Sequence, residues 1–291
     1  MNDFEYLEPS TLGEAIAHLN AHGPRTQLLA GGTDLLLQMQ AGGIATSFVV
    51  DVRRIPELQV LEYDEARGLT LGAAVTLRTV ETSSVVRWHY PHLASSAAEI
   101  GSLQIRNLGT VGGNVCNAAP SADLPPALLT LGASARLAGP WGDRIVPLDR
   151  FFAGPRQTVL QPDELLVSLQ IPAPAARTGG AYLKLKVRTA LDIAMVGVAA
   201  TVRLAPGDGV VEWARIALGA VAPTPLLVPD AEALLAGQAL DPSLLEEVGR
   251  AAAAACRPIS DLRASADYRR EMVSVLTRRA VRQAVERAKA T

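Results

Sequence analysis

At 291 residues the chain is long enough for about two domains, and its make-up, 49% hydrophobic and 19% charged with 24 Gly and 19 Pro, excludes a disordered protein. Lys and Arg (27) nearly balance Asp and Glu (29), which excludes a broad basic footprint for nucleic acid or an anionic membrane, and 4% aromatic residues leave little for a base-stacking platform. The longest mostly apolar run, residues 193–202, is far short of the roughly 20 residues of a membrane-spanning helix, and the acidic start Met1-Asn2-Asp3-Phe4-Glu5 lacks the order of a secretory signal.

The first helix is marked at both ends. Thr11-Leu12-Gly13-Glu14 forms a capping box, Ala15, Ile16 and Leu19 share one helical face, and Gly23 supplies the stop. A strand over residues 26–30 runs into Gly31-Gly32-Thr33-Asp34, and the leucines and Met39 beyond it predict a short helix. Residues 46–52, continuously apolar at Phe48, Val49 and Val50, read as a buried strand, so residues 1–55 form a small α/β unit. A second unit, residues 56–176, mixes short strands and helices. Strands are expected at 69–74, 133–137 and 164–171, and helices at 77–83 and 91–100, the latter ended by Gly101. A second glycine turn falls at 109–114, and Pro125-Pro126 introduces an Ala/Leu-rich helix. Pro172, Pro174 and Gly179-Gly180 punctuate a linker.

Beyond it, residues 182–187, 193–204 and 211–221 are long apolar strands with hairpin-like turns such as Pro206-Gly207-Asp208-Gly209. Helices follow at 230–236, 242–256 and 266–288, and strands followed by helices predict an α+β domain over residues 177–291. Charge is uneven here. Residues 262–291 carry eight Lys or Arg and three Asp or Glu, a net +5 against −7 for the rest. Tyr268, Met272, Val275 and Leu276 are expected to face the core. That leaves Arg269, Arg270, Arg278, Arg279, Arg282 and Arg287 outward, as a solvated face or a dock for an acidic partner surface.

Several kinds of chemistry are excluded. The chain contains no G-x-G-x-x-G, no G-x-x-x-x-G-K-[ST] and no G-x-S-x-G. His18 and His22 have the spacing of a metal pair but fall on the Glu14 side of the helix without a third ligand, so a solvated face is expected and no metal site is assigned. His89 and His92 flank a proline in a loop-like stretch. Cys116 and Cys256 cannot build a disulfide framework or a four-cysteine cluster and read as reduced cytoplasmic thiols.

What remains is a pair of glycine turns. Leu29-Ala30-Gly31-Gly32-Thr33-Asp34-Leu35 joins a strand to a helix, and Gly109-Thr110-Val111-Gly112-Gly113-Asn114 is followed by Ala119-Pro120-Ser121-Ala122-Asp123. Adjacent glycines permit positive φ and remove Cβ, so successive N–H groups can converge on an anion, and a helix start just downstream adds donors. Thr33, Thr110 and Asn114 add polar groups without bulk. Neither turn contains Lys or Arg, which fits a pyrophosphate held by backbone. Either turn alone is more readily explained as the close of a hairpin, which Gly-Gly commonly makes.

Together, Ala30-Gly31-Gly32-Thr33-Asp34, Gln104-Ile105-Arg106-Asn107, Gly109-Thr110-Val111-Gly112-Gly113-Asn114 and Pro120-x-x-Asp123 resemble the FAD-binding subunit of the molybdenum hydroxylases. The likeness continues through Glu164-Leu165-Leu166, Lys184 with Arg188, Asp192-Ile193-Ala194 and residues 261–270, and covers essentially the whole chain. It implies an α+β protein: a two-part FAD-binding domain of the vanillyl-alcohol oxidase-like (PCMH) type, then a C-terminal α+β domain with a small antiparallel sheet and helices. By the same resemblance Leu28, Leu29, Ala30, Gly31, Gly32, Thr33, Asp34 and Leu35 form one pyrophosphate loop, and Thr110, Val111, Gly112, Gly113 and Asn114 the other. Ile100 or Gly101 lies against the cofactor, Asp123 is a flavin-contacting acid, and Leu166 and Lys184 reach the flavin.

The resemblance further implies an electron relay with no catalytic acid or base in this chain. Its partners would be a small [2Fe-2S] subunit and a large molybdopterin subunit in a dimer of heterotrimers, with NAD, quinone or oxygen as acceptor, in the cytoplasm. The extra cluster carried by relatives of 4-hydroxybenzoyl-CoA reductase is excluded by the two distant cysteines. The alternatives are a free-standing FAD oxidoreductase, for which the chain lacks an identifiable substrate-handling set, and a flavin-free scaffold, which the intact glycines disfavour.

Overall fold

A computed structural model describes residues 3–189, 191–207 and 209–291. Met1, Asn2 and Asp208 of the turn at 206–209 lie outside the described residues. The N-terminal unit contains β1 (Glu5–Leu7), α1 (Leu12–His22), β2 (Thr26–Leu29), α2 (Leu35–Gln40) and β3 (Phe48–Asp51). Its three strands are parallel in the order β1-β3-β2, with β3 central and buried. The capping box forms: Thr11 accepts from the Glu14 N–H while Glu14 reaches back to the Thr11 N–H. His22 stacks on Phe48 with ring centroids 3.7 Å apart, which gives that side chain a packing role.

The second unit contains β4 (Leu61–Asp64), β5 (Gly68–Gly72), α3 (Leu77–Thr82), α4 (Ser84–His89), α5 (Pro91–Ala98), α6 (Leu103–Leu108), α7 (Val111–Cys116) and α8 (Leu124–Thr130). It continues through β6 (Ser134–Gly139), β7 (Gly142–Pro147), the small hairpin β8 (Phe152–Gly154) and β9 (Gln157–Thr158), and β10 (Leu165–Ile171). Its antiparallel sheet runs β4-β5-β10-β6-β7. Ala15, Leu19 and Val50 of the first unit share one apolar core with Leu69, Leu71, Leu137 and Leu169 of this sheet, so the two units bury surface together.

The third region contains β11 (Thr178–Leu185), β12 (Val196–Leu204), β13 (Val211–Gly219), β14 (Leu226–Leu227), α9 (Pro229–Leu235), α10 (Pro242–Ala255) and α11 (Ala266–Lys289). It is the expected antiparallel sheet with helices, in the order β11-β12-β13-β14 and with its own core. Helix α8 is buried along its whole length and packs on β12 and β13, which joins the third region to the second.

Two expectations are corrected. Gly179 and Gly180 are not a linker but lie in β11. A Cβ on Gly179 would run into the backbone of α11 at Ala284 and Ala288, and one on Gly180 into the His92 ring, so these glycines permit close helix–sheet approach. The arginines of α11 do not all point outward, because its buried face is built from Val273, Leu276, Ala280, Val281, Ala284, Val285 and Ala288, and Tyr268 is exposed instead. Arg269 is buried, donating to Asp261 at 2.7 Å and to the Met195 carbonyl at 2.8 Å. Arg278 pairs with Glu246 and Arg287 donates to the Gly180 carbonyl, so the chain uses these cations internally.

His92, beside the proline that opens the helix expected at 91–100, lies on that helix (α5) and is buried, with Nε2 3.2 Å from the Thr201 hydroxyl. Burial, reinforced by the Arg287 charge, pulls its pKa down to about 3. The folded state therefore holds the imidazole neutral while the unfolded chain protonates near pH 6.5. The stabilisation is complete above that pH and is lost as pH falls toward 3. Chemical denaturation at pH 7, 6 and 5 is expected to show a falling midpoint, with a slope approaching about 1.4 kcal/mol per pH unit for this group. In His92→Gln that slope should flatten; an unchanged slope would assign it to other groups.

Candidate functional site

The two glycine segments, far apart in sequence, meet. A Cβ on Gly31 would collide with the Leu108 carbonyl, and one on Gly109 would lie 3.6 Å from the Thr33 hydroxyl. Only a residue without a side chain brings the first loop this close to the second. Gly32 has φ +71°, the left-handed region, so the β2-to-α2 connection turns there. Between and around these segments lies a cleft of about 410 Å3.

The second segment is not the expected turn. Thr110 is the N-cap of α7 and Gly112 and Gly113 lie inside that helix, with no positive φ at either. Most of its backbone donors are already used, the Thr110 N–H excepted. The Val111 N–H bonds to the Val75 carbonyl (2.9 Å), Gly112 to Ala73 (2.8 Å), Gly113 to the Thr110 hydroxyl (3.0 Å) and Asn114 to the Thr110 carbonyl (3.0 Å). The segment is pinned to residues 73–77 by a bridge between Thr76 and Thr110. In the first loop, by contrast, the N–H groups of Gly31, Gly32, Thr33 and Asp34 donate to no acceptor among the described residues. The free backbone donors thus come mainly from the first loop, and the second segment, with only the Thr110 N–H left over among the described residues, supplies a rigid wall.

Of the sequence-predicted residues, Leu28, Ala30, Gly31, Gly32, Thr33, Asp34, Leu35, Ile100, Thr110, Gly113 and Asn114 line the cleft. The Asn114 Oδ1 is buried without a hydrogen-bond partner among the described residues. Leu29 belongs to β2, Val111 and Gly112 are buried behind the wall, and Gly101, with φ +53°, forms the bend after Ile100. None of these four lines the cleft.

Leu166 is a buried core residue of β10 at an irregularity in its pairing with β6. Asp123 and Lys184 also lie off the cleft surface, because they are bound to each other: the Lys184 ammonium is 2.9 Å from Asp123 Oδ2, with both side chains buried. Tyr182 donates to Asp123 Oδ1 at 2.6 Å, and Lys184 donates also to the Glu99 carbonyl at 2.9 Å. Lys184 is therefore no solvated strand end but a link between the third region and the residue preceding Ile100. Burial pushes the Asp123 carboxyl above its usual range, against the pull of Lys184 and Tyr182.

Among the lining residues not assigned to the site from sequence, three stand out for their polar or reactive side chains: Cys116, Asn117 and Arg156. The first two follow from the helix that continues past Asn114. Arg156 comes from the β8–β9 hairpin, and the Gly154-Pro155 dipeptide before it is a turn signal that marked a loop there.

The cleft fits a nucleotide cofactor: it offers unpaired backbone donors, a glycine at 113 whose position a side chain would fill, and a buried unpaired amide oxygen. Fold and site together define the class: a protein whose cleft, between a small parallel α/β unit and an antiparallel sheet unit, offers the unpaired backbone donors that a phosphate-bearing cofactor takes. The chain belongs to the family described as the FAD binding domain in molybdopterin dehydrogenase, whose model matches residues 2–174, and FAD is its cofactor. Residues 181–284 match the CO dehydrogenase flavoprotein C-terminal domain.

The chain is 37% identical over 281 residues to the carbon monoxide dehydrogenase medium chain of Hydrogenophaga pseudoflava, covering 97% of this chain and 96% of that one. It is 35% identical over 290 residues to the xanthine dehydrogenase FAD-binding subunit of Escherichia coli O157:H7, covering 99% and 98%. A solved structure of carbon monoxide dehydrogenase from Hydrogenophaga pseudoflava superimposes with a TM-score of 0.94 at 38% identity, covering 98% of each chain. The chain is a flavoprotein subunit of the molybdenum-containing oxidoreductase type.

Proposed function

We propose that this chain holds FAD in the cleft between its two glycine segments and relays electrons for a molybdenum hydroxylase. The observation that carries the reading is the row of unpaired N–H groups from Gly31 to Asp34 along the cleft, opposite a wall most of whose own donors are engaged. When bound, FAD supplies electron exchange one or two at a time. The chain's residues bind and orient it. Gly31, Gly32, Thr33 and Asp34 donate to the diphosphate, with Leu28, Leu29, Ala30 and Leu35 as the frame of that loop. Thr110, Val111, Gly112, Gly113 and Asn114 form the opposing wall, and Ile100 with Gly101 lies against the ring system. Asp123, Lys184 and Leu166 act from beneath, by fixing Glu99, Ile100 and the β10 backbone.

We further propose a division at residues 1–55, 56–176 and 177–291, the first two parts sharing the cofactor. The partners are a small [2Fe-2S] subunit and a large molybdopterin subunit in a dimer of heterotrimers, in the cytoplasm, with NAD, quinone or oxygen as final acceptor. The relatives' names, a medium chain and a FAD-binding subunit, support assembly with other subunits. Among the described residues no helix is long and apolar enough to cross a membrane.

The test is purification under mild conditions. Bands at roughly 370 and 450 nm are expected from the flavin, with two further chains carrying iron and molybdenum. A chain purified from its native host with flavin and no iron or molybdenum would overturn the relay in favour of a free-standing oxidoreductase.

A further inference from the structure

The cleft presents a charge problem. FAD carries a diphosphate, yet neither glycine segment contains a cation, and the other ionisable residues lining the cleft include Asp34 and Glu164. Glu164 is neutralised by Arg144, which donates to both carboxylate oxygens at 2.7 Å. Arg156 is the one Lys or Arg among the lining residues. Unlike Arg144, it has no carboxylate partner among the described residues; its Nη1 is 3.2 Å from the Asn117 side-chain oxygen. Its charge is therefore available to a ligand.

The backbone holds it in place. Arg156 sits at the tip of the β8–β9 hairpin with φ +59°, and its N–H donates at 2.9 Å to the carbonyl of Ala118, which has φ +44°. Two non-glycine residues in the left-handed region, bonded to each other, clamp the hairpin tip to the end of the glycine helix α7. Such strain persists where surrounding structure enforces it and clusters at ligand sites. A guanidinium suits a diphosphate because its planar fork gives two parallel charge-assisted hydrogen bonds.

We infer that Arg156 supplies the positive charge that the backbone cradle lacks and pairs with the cofactor's diphosphate. This deepens the cleft reading and rests on it. The experiment uses the full chain stripped of flavin, with FAD, ADP and riboflavin as probes, titrated at two salt concentrations. Arg156→Gln is expected to weaken FAD and ADP about tenfold or more, to flatten the salt dependence, and to leave riboflavin unchanged, since riboflavin has no phosphate. Arg156→Asn should behave alike, and asparagine tolerates the left-handed backbone, which separates loss of charge from loss of the hairpin's shape.

Wild-type affinity for FAD and ADP in both variants would overturn the inference. So would an equal loss for riboflavin, which would put the guanidinium at the ring instead. Gly113→Val, run in parallel, tests the cleft itself. Full FAD retention there removes the reading on which the inference rests, whereas FAD loss there with unaffected Arg156 variants removes Arg156 alone.

Discussion

Gly113→Val is expected to yield a folded chain that no longer retains FAD. Gly113 is exposed at the cleft, its φ is in the ordinary helical range, and the nearest atom to an added Cβ is the Thr110 hydroxyl at 3.0 Å. The valine branches therefore enter the cleft rather than the core, and the change in stability should stay near or below about 1 kcal/mol. Displacing the cofactor from several charge-assisted hydrogen bonds, each worth about 1.5–3 kcal/mol, should weaken binding at least about a hundredfold.

Gly32→Val reaches the same end by another route. It forces a branched residue into φ +71° and places a Cβ 3.1 Å from Leu29 and Leu36, so the loop presenting the free donors must rearrange, at a cost of about 1–3 kcal/mol in stability. The measurement is the ratio of flavin to protein absorbance after gel filtration, beside a thermal melt. Stoichiometric flavin in both variants would sink the assignment.

Lys184→Met should be the most destabilising single change outside the apolar core. It strands Asp123 without its counter-ion at a site where both side chains are almost fully buried, and breaking such a pair costs about 3–5 kcal/mol. The Tyr182 hydroxyl remains, and protonation of the stranded carboxyl offers relief, so the loss should shrink as the buffer is made more acidic. Adding Asp123→Leu to Lys184→Met should recover much of the stability, because an apolar pair carries no desolvation penalty. The double variant still lacks the bond from Lys184 to the Glu99 carbonyl, so its flavin affinity is expected to remain below wild type. A double-mutant cycle by urea denaturation, with flavin binding measured on each variant, separates the two roles. Coupling near zero would show that the pair contributes nothing across the junction.

What was legible from residues alone is what chain neighbours decide. The capping box at Thr11, the strand into Gly31-Gly32, the helix after Pro125-Pro126 and the antiparallel C-terminal sheet all rest on local capping, periodicity and backbone freedom, and the structure has them. The glycine motifs pointed to a phosphate-bearing cofactor for the same reason, since absent side chains are visible in any sequence. The tertiary structure decided which groups remain free to act. Whether an N–H in residues 109–114 can reach a ligand depends on carbonyls at 73 and 75, which occupy two of them. Asp123 meets Lys184 across 61 positions, and Arg156 reaches Asn117 across 39. Hydrogen bonds and ion pairs are satisfied by whichever partner the fold brings near, and that partner is set by packing rather than by position along the chain.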